Sequence, residues 1–370
     1  MYELNNPTLV KSIRDSLTGY MAVRVLIGPR SDSQKTQYTG NDIISCKIAA
    51  GLFSGDPSVG NAVSRKLTLS VARKVWIDLG QEVKIIAQCR DTVGRTSETI
   101  PVGTFYIVSR KLTDDVYTLE CYDRMYKANI AYPYSPVAGQ YTVPSATVVQ
   151  NVATAMNMSL SNGTLAAMVR PMDYPGVIRT ADDEVEVYPS TCREMLRQAA
   201  AVNGGNFIIS NDGKLKFVPI WQSVSDYIYS ECESKEFPNG SDPESVTSVY
   251  SYMAVRIFVE GVVAARAYNT ETLKNPFDVH LEGSLMQTQA QLDATAAYIL
   301  SIIQGKNITG YNIKNAIINP AVELGDYFKS LPAYSLTHCV AAYNMILDSL
   351  YTADLSSPFT DEGGDTVWEA

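Results

Sequence analysis

The sequence predicts a mainly β protein with an α+β insert, in which two β-barrel domains flank a small α/β domain. Three observations carry this reading. Apolar residues recur with period two in the first and last thirds of the chain. Helical periodicity is confined to two stretches between them and one near residue 300. Tyrosine outnumbers phenylalanine 23 to 9, and its flat apolar ring with a polar tip suits strands and wet interfaces. A length of 370 residues gives room for two or three cores.

The first β-barrel domain is assigned to residues 1–125. Lys66-Leu67-Thr68-Leu69-Ser70-Val71 and Tyr117-Thr118-Leu119-Glu120-Cys121-Tyr122 alternate polar and apolar positions, the signature of a half-buried strand. Shorter candidates are Met21 to Ile27, Ile43 to Ile48, Val83 to Cys89 and Val102 to Val108. Gly28-Pro29, Gly55-Asp56-Pro57 and Val93-Gly94 interrupt them as turns.

The small α/β domain is assigned to residues 126–220. Pro133, Pro136, Gly139 and Pro144 mark a linker into it. Val148, Val152, Ala155 and Met156 then share one helical face. A second helix opens with Thr191 and Glu194 at capping-box spacing, presents Met195, Leu196, Ala199 and Ala200, and stops at Gly204-Gly205. Asn206 to Ser210, the turn Asn211-Asp212-Gly213 and Lys214 to Val218 follow as a hairpin.

The second β-barrel domain, with one helix, is assigned to residues 221–360. Its strands are read at Val249 to Val259, Val262 to Tyr268, Tyr311 to Ile318 and Val340 to Leu347, and its helix from Leu292, Ala296, Ile299 and Ile303. Residues 361–370 read as an acidic, flexible tail.

Composition excludes several functions. The net charge is −9 and the pI near 4.9, so the chain lacks the positive field on which general nucleic-acid or anionic-membrane binding depends. Cys46, Cys89, Cys121, Cys192, Cys232 and Cys339 are dispersed, without a Cys-x-x-Cys pair. They read as reduced, buried hydrophobes of a protein folded in a cytoplasm rather than as a zinc or redox site. The first residues have no basic segment followed by an apolar run, and no apolar stretch approaches the ~20 residues of a membrane span.

No catalytic, cofactor-binding or metal-binding residue is assigned, and an enzyme is not expected. His280 and His338 are too far apart for metal spacing, and His280 is placed in a loop. His338 and Cys339 are neighbours on a strand, so they point to opposite faces and do not form a nucleophilic dyad. Gly204-Gly205 closes a helix instead of opening one, which makes it a stop and not a phosphate cradle. Asp182-Asp183-Glu184 with Glu186 lacks the calcium-loop pattern and reads as a solvated loop. Asp114-Asp115 reads as a turn before a strand, and Glu323-Leu324-Gly325-Asp326 as a tight turn feeding the strand with Tyr327-Phe328.

Three segments together resemble a known family. They are Gly103-Thr104-Phe105-Tyr106-Ile107-Val108 leading to Asp123-Arg124-Met125, Thr191 to Leu196 leading to Asn211-Asp212-Gly213-Lys214-Leu215, and Asn319-Pro320-Ala321-Val322-Glu323-Leu324-Gly325-Asp326. Their order and spacing are similar to those of the baseplate or tail hub proteins of phages, phage-like bacteriocins and prophage tails, especially of Gram-positive hosts. The resemblance implies a structural subunit with two tube-forming barrels that alternate around a homotrimer as a pseudo-sixfold ring. That ring would connect the tail tube to the tail tip or spike. Implied partners are the tail tube or distal tail protein, the spike or tip protein and the tape-measure protein. DNA would only pass through the lumen, and the site of action would be the virion tail, assembled in the host bacterial cytoplasm. Relatives that digest cell wall continue into an enzymatic domain, for which the chain after the second β region leaves no room. The alternative is a carbohydrate- or receptor-binding β-module, which would gather exposed Trp and Tyr into a groove. Trp76, Trp221 and Trp368 lie far apart in sequence.

Overall fold

A computed structural model describes residues 5–6, 9, 20–29, 31–53, 57–136, 139–179, 184–221, 228–229, 246–259, 261–268, 276–281, 287–304, 307–317, 320–329, 337–339, 342–347, 352–357 and 360–361. Strands β1 (Tyr20–Gly28), β2 (Thr36–Thr39), β3 (Ile43–Gly51), β4 (Asn61–Ala62), β5 (Lys66–Ala72), β6 (Glu82–Arg90), β7 (Ile100–Thr113) and β8 (Val116–Asp123) come first. The α/β region follows with β9 (Thr142–Pro144), helix α1 (Ser145–Ala155), β10 (Pro171–Asp173), β11 (Val177–Arg179), β12 (Val185–Val187), α2 (Cys192–Val202), β13 (Gly205–Ile209) and β14 (Leu215–Pro219). Then come β15 (Ile228–Tyr229), β16 (Val246–Ser251), β17 (Ala254–Val259), β18 (Val262–Tyr268), β19 (Pro276–Leu281) and α3 (Gln289–Ile303). The last strands are β20 (Asn307–Ile317), β21 (Tyr327–Lys329), β22 (Thr337–Cys339), β23 (Ala342–Ile346), β24 (Thr352–Ser357) and β25 (Thr360–Asp361).

Strands from both ends of the chain share one curled, half-barrel sheet of eleven strands, in the order β16-β20-β24-β23-β3-β5-β8-β7-β6-β1-β2. The seam between the two ends is antiparallel, with Tyr343 opposite Ala50 and Met345 opposite Ile48. In β5 and β8 the alternating pattern does what period two requires. Leu67, Leu69 and Val71 are buried, as are Tyr117, Leu119 and Cys121. The β7–β8 hairpin turns on Asp114 and Asp115, both with positive φ (49° and 60°), the conformation that matches strand twist in two-residue hairpins.

The α/β region builds its own side of the core. α1 buries Val148, Val149, Val152 and Ala153; of the expected face, Val148, Val152 and Met156 are buried and Ala155 packs half-buried against the same core. α2 has the expected capping box: Glu194 N donates to Thr191 Oγ1 at 3.2 Å and Thr191 N donates to Glu194 Oε2 at 2.6 Å. Gly204, at φ +68°, ends it. β13 is buried along its whole length, pairing antiparallel with β14 and parallel with β4. The same core takes in Val255, Ile257, Val259, Phe277, Val279 and Leu281 from β17 and β19, and Leu292, Ala296, Ile299 and Ile303 from α3.

Two strand expectations need correction. The stretch from Val249 to Val259 is not one strand: it breaks at Tyr252-Met253, with β16 in the large sheet and β17 in a separate sheet of order β18-β17-β19. His280 lies in strand β19 and not in a loop. In the first case a largely apolar run hides the change of sheet, because periodicity reports burial and not the partner strand; in the second, Phe277, Val279 and Leu281 alternate with Asp278 and His280 as strand residues do. Residues 362–370 of the expected acidic tail lie outside the described residues.

Gly205 and Gly213 separate two kinds of glycine requirement. A Cβ on Gly205 would lie 2.4 Å from Phe217 Cζ and 2.5 Å from the Val218 carbonyl oxygen, whereas Gly213 sits at φ +82° with open space around it. Gly205→Ala is expected to cost at least the ~3 kcal/mol of a severe overpacking, and Gly213→Ala only the ~1–2 kcal/mol of a left-handed alanine. Denaturant unfolding of the two variants checks that order.

Candidate functional site

The three sequence segments that carried the resemblance meet in space at a buried polar junction. The first contributes Asp123, the last residue of β8, whose carboxylate is fully buried. It accepts from Ser64 Oγ (2.9 Å), Arg65 N (3.0 Å), Arg65 Nε (3.3 Å) and Met125 N (3.1 Å). Burial pushes the Asp123 carboxyl above its ordinary value, and Arg65 with the surrounding donors offsets part of that. The Arg65 guanidinium lies over the Phe105 ring at 5.4 Å and donates to the Val102 carbonyl at 3.1 Å. Gly103 makes this possible: a Cβ there would sit 2.7 Å from the Phe105 ring and 3.1 Å from Arg65 Nη2.

Arg65 then reaches the second segment. Its Nη1 donates to Asn211 Oδ1 at 2.5 Å and its Nη2 to the Ser210 carbonyl at 3.3 Å. Asn211 is the first residue of the expected Asn-Asp-Gly turn between β13 and β14, and it is buried. Its side-chain amide donates to the Ala321 and Val322 carbonyls (3.4 and 3.2 Å), and its backbone N–H donates to Glu323 Oε1 at 2.5 Å.

The third segment closes the junction. Glu323 and Asp326 flank the expected turn before β21, and the Glu323 N–H donates to Asp326 Oδ2 at 2.7 Å. Gly325, at φ +85°, holds the turn against Val218, whose Cγ1 a Cβ would meet at 2.4 Å. Lys216 of β14 points at both acids, 2.8 Å from Glu323 Oε2 and 3.7 Å from Asp326 Oδ1. The acid side chains are each 4% exposed and that of Lys216 18%. Burial alone would raise the Glu323 carboxyl, but nearby positive charge, that of the Lys216 ammonium foremost, and the Asn211 N–H lower it to about 2. Burial would likewise lower Lys216, and Glu323 with Asp326 raises it above its ordinary value instead.

Arg65 and Lys216 were missed by the sequence reading. Lys214 and Lys216 alternate with Leu215 as solvent-facing residues do, and no local signal distinguishes the one that meets the buried acids. Arg65 stands just before the alternating run that begins at Lys66, and no neighbour in sequence marks it as buried.

The remaining candidates are not brought together. His280 stacks on Phe258 (centroids 4.9 Å apart, planes at 20°), with the Arg256–Asp278 ion pair alongside. His338 and Cys339 lie on β22, opposite Phe328 and Tyr327. Glu184 and Glu186 are exposed, while Asp182 and Asp183 lie outside the described residues. Cys46, Cys89, Cys121 and Cys192 are buried, and burial pushes the Cys46 thiol up to about 12. Among the described residues no group of three or more His, Cys, Asp or Glu side chains is placed to hold a metal ion. No helix is long and apolar enough to cross a membrane, again among the described residues. The cavity beside Lys216 and Asp326 measures about 120 Å³, below the ~300 Å³ at which small-molecule pockets begin. A more open hollow of about 530 Å³ lies between β18 and α3, and Arg266 is the one charged residue lining it among the described residues. Trp76 is exposed on a loop and Trp221 is buried, so these two do not line a common groove; Trp368 lies outside the described residues.

No protein-family model matches the chain, and no curated protein matches its sequence. Its fold is shared with the tail protein from Neisseria meningitidis MC58: the two are 11% identical, with a TM-score of 0.51 over 93% of this chain and 97% of that one. The 43 kDa tail protein of prophage MuSo2 from Shewanella oneidensis is 12% identical, with a TM-score of 0.47 over 90% of this chain and 98% of that one. A chain of a topological model of the p2 virion baseplate in activated conformation is 10% identical, with a TM-score of 0.33 over 93% and 100%. At such identities the likeness to the Neisseria protein is one of fold.

The junction has a pH signature. Because the Glu323 carboxyl is held below its ordinary value of 4.5, its stabilising contribution is complete above that value and is lost as pH falls toward about 2. Denaturant midpoints of the wild type are expected to drop across this window, and those of Glu323→Gln to drop less steeply. Lys216→Met takes the Lys216 ammonium away from two buried carboxylates and is expected to cost up to ~3–5 kcal/mol at neutral pH. Lys216→Met combined with Glu323→Gln is expected to recover part of that loss in the same measurement.

Proposed function

We propose that this chain is a structural subunit of a phage or phage-like tail, the hub of its baseplate, acting by packing and not by catalysis. The observation that carries the reading is the eleven-stranded curled sheet, built from both ends of a chain whose fold is that of a tail protein. Among the described residues the sheet ends on β2 and β16. Open edges of a curled sheet are templates for further pairing, and closed cyclic symmetry is the common way of satisfying them without runaway growth.

In this reading three copies close a ring in which the first and last β regions alternate as tube-forming barrels. The domain division is then 1–125, 126–220 and 221–360, with the α/β part outside the tube. The ring would join the tail tube to the tip or spike. The net charge of −9 would discourage DNA and tape-measure protein from adhering to the lumen.

Light scattering on the purified chain tests the ring directly. A discrete particle near three times the 40.5 kDa chain mass is expected, and threefold symmetry in electron micrographs. Compact monomers only, with tail tube protein added, would overturn the ring.

A further inference from the structure

An asparagine followed by glycine can lose its side-chain amide without an enzyme, because a neighbour with no side chain lets its backbone nitrogen reach the asparagine Cγ. Asn-Gly occurs three times, at Asn162-Gly163, Asn203-Gly204 and Asn239-Gly240. Asn239 and Gly240 lie outside the described residues. The fold treats the other two pairs in opposite ways.

Asn203 is locked. It is 1% exposed. Its Oδ1 accepts from Val169 N (2.8 Å) and Arg170 N (2.9 Å), and its Nδ2 donates to Ser145 Oγ (2.9 Å) and the Ala199 carbonyl (2.8 Å). The nitrogen that would attack it, Gly204 N, donates to the Ala201 carbonyl at 3.3 Å. Both reacting groups are engaged, so reaction there waits on local opening of the end of α2.

Asn162 is the reverse. Asn162 and Gly163 are both exposed. Among the described residues, neither the Asn162 side chain nor Gly163 N has a hydrogen-bond partner. Gly163 sits at φ +79° with nothing within 4 Å of the place a Cβ would occupy, so no neighbouring group bars the approach. The residues on either side of the pair are nevertheless fastened to β14. Ser161 N donates to the Leu215 carbonyl at 2.9 Å, and Phe217 N donates to Thr164 Oγ1 at 3.4 Å. Thr164 N donates to the Ser161 carbonyl at 3.2 Å and so spans the pair. Asn162 and Gly163 also line the cavity of about 120 Å³ that Lys216 and Asp326 share.

We propose that Asn162 is a site of spontaneous deamidation, and that its product weakens the hold of this turn on β14. The Gly163 nitrogen, giving up its proton to water, bonds to Asn162 Cγ, and the Cγ–Nδ2 bond breaks to release ammonia. Water then opens the five-membered imide at either carbonyl. One opening leaves aspartate, and the other leaves isoaspartate, with the main chain rerouted through Cγ. Nothing is oxidised or reduced. Either product adds one negative charge to the lining of a cavity whose Lys216 already faces Glu323 and Asp326. Isoaspartate also lengthens the backbone between Ser161 and Thr164, which the Thr164 N to Ser161 carbonyl bond holds short.

The test is incubation of the full-length chain at mildly alkaline pH, followed by peptide mass spectrometry, with a urea-unfolded sample alongside. In the folded chain the Asn162 peptide is expected to change from amide to acid mass at least ~tenfold faster than the Asn203 peptide, which waits on local opening. In urea the two are expected to convert at similar rates. Equal rates in the folded chain, a gap that persists in urea, or an Asn162 peptide that stays intact would overturn the site. The converted chain is expected to unfold at lower urea concentration than the fresh one. Asn162→Gln, whose longer side chain closes its ring slowly, is expected to keep its midpoint through the incubation. A converted chain with the fresh midpoint, or Asn162→Gln losing stability as fast as wild type, would overturn the coupling to β14.

Discussion

Burying charge is the constraint on which this structure turns. A carboxylate or ammonium taken out of water costs several kcal/mol unless an opposite charge and enough hydrogen bonds meet it. Here the compensation is a chain running from Asp123 through Arg65, Asn211 and Glu323 to Lys216 and Asp326. No two consecutive partners along it lie within fifty residues in sequence until the last pair of acids is reached. Each group therefore finds its partner only when the first β region, the β13–β14 hairpin and the turn before β21 are all in place. Half of this network would be worse than none, because the residual charges would stay buried without partners.

The apolar core repeats that dependence. Ile208 and Val218 of the hairpin, Val322 and Leu324 of the turn, and Met345 and Leu347 near the end of the chain all pack into the cluster on the sheet formed by β1, β3, β5, β6, β7 and β8. The seam of β3 with β23 ties residues about three hundred positions apart. Such non-local pairing must meet its loop-closure entropy before any contact rewards it. The junction fixes the turn that leads into β21, and Val322 and Leu324 of that turn pack in the same cluster as Ile48 and Met345 of the seam strands.

The same geometry gives the sheet a polarity. One end is sealed by polar groups that satisfy one another across the three segments. The other presents short loops whose charges are paired at the surface and whose apolar side chains are left outward.

Local chemistry made much of this legible. The capping box at Thr191 and Glu194, the Asn-Asp-Gly turn, the alternation in β5 and β8, the Asp114-Asp115 hairpin and the Glu323–Asp326 turn are determined by residues within one or two turns of one another, so the sequence alone determines them. The three segments read as resembling tail hubs contain Asp123, Asn211, Glu323 and Asp326, yet nothing in the sequence says that they touch. That Lys216 and not Lys214 turns to the buried acids, that Arg65 links two regions, that His280 is in a strand, and that the ends of the chain share one sheet were decided by tertiary structure. The physical reason is one of range. Backbone dihedrals and capping bonds are fixed by neighbours in the chain, whereas the partner of a strand edge or of a buried charge is whatever the fold carries to within about 3 Å of it.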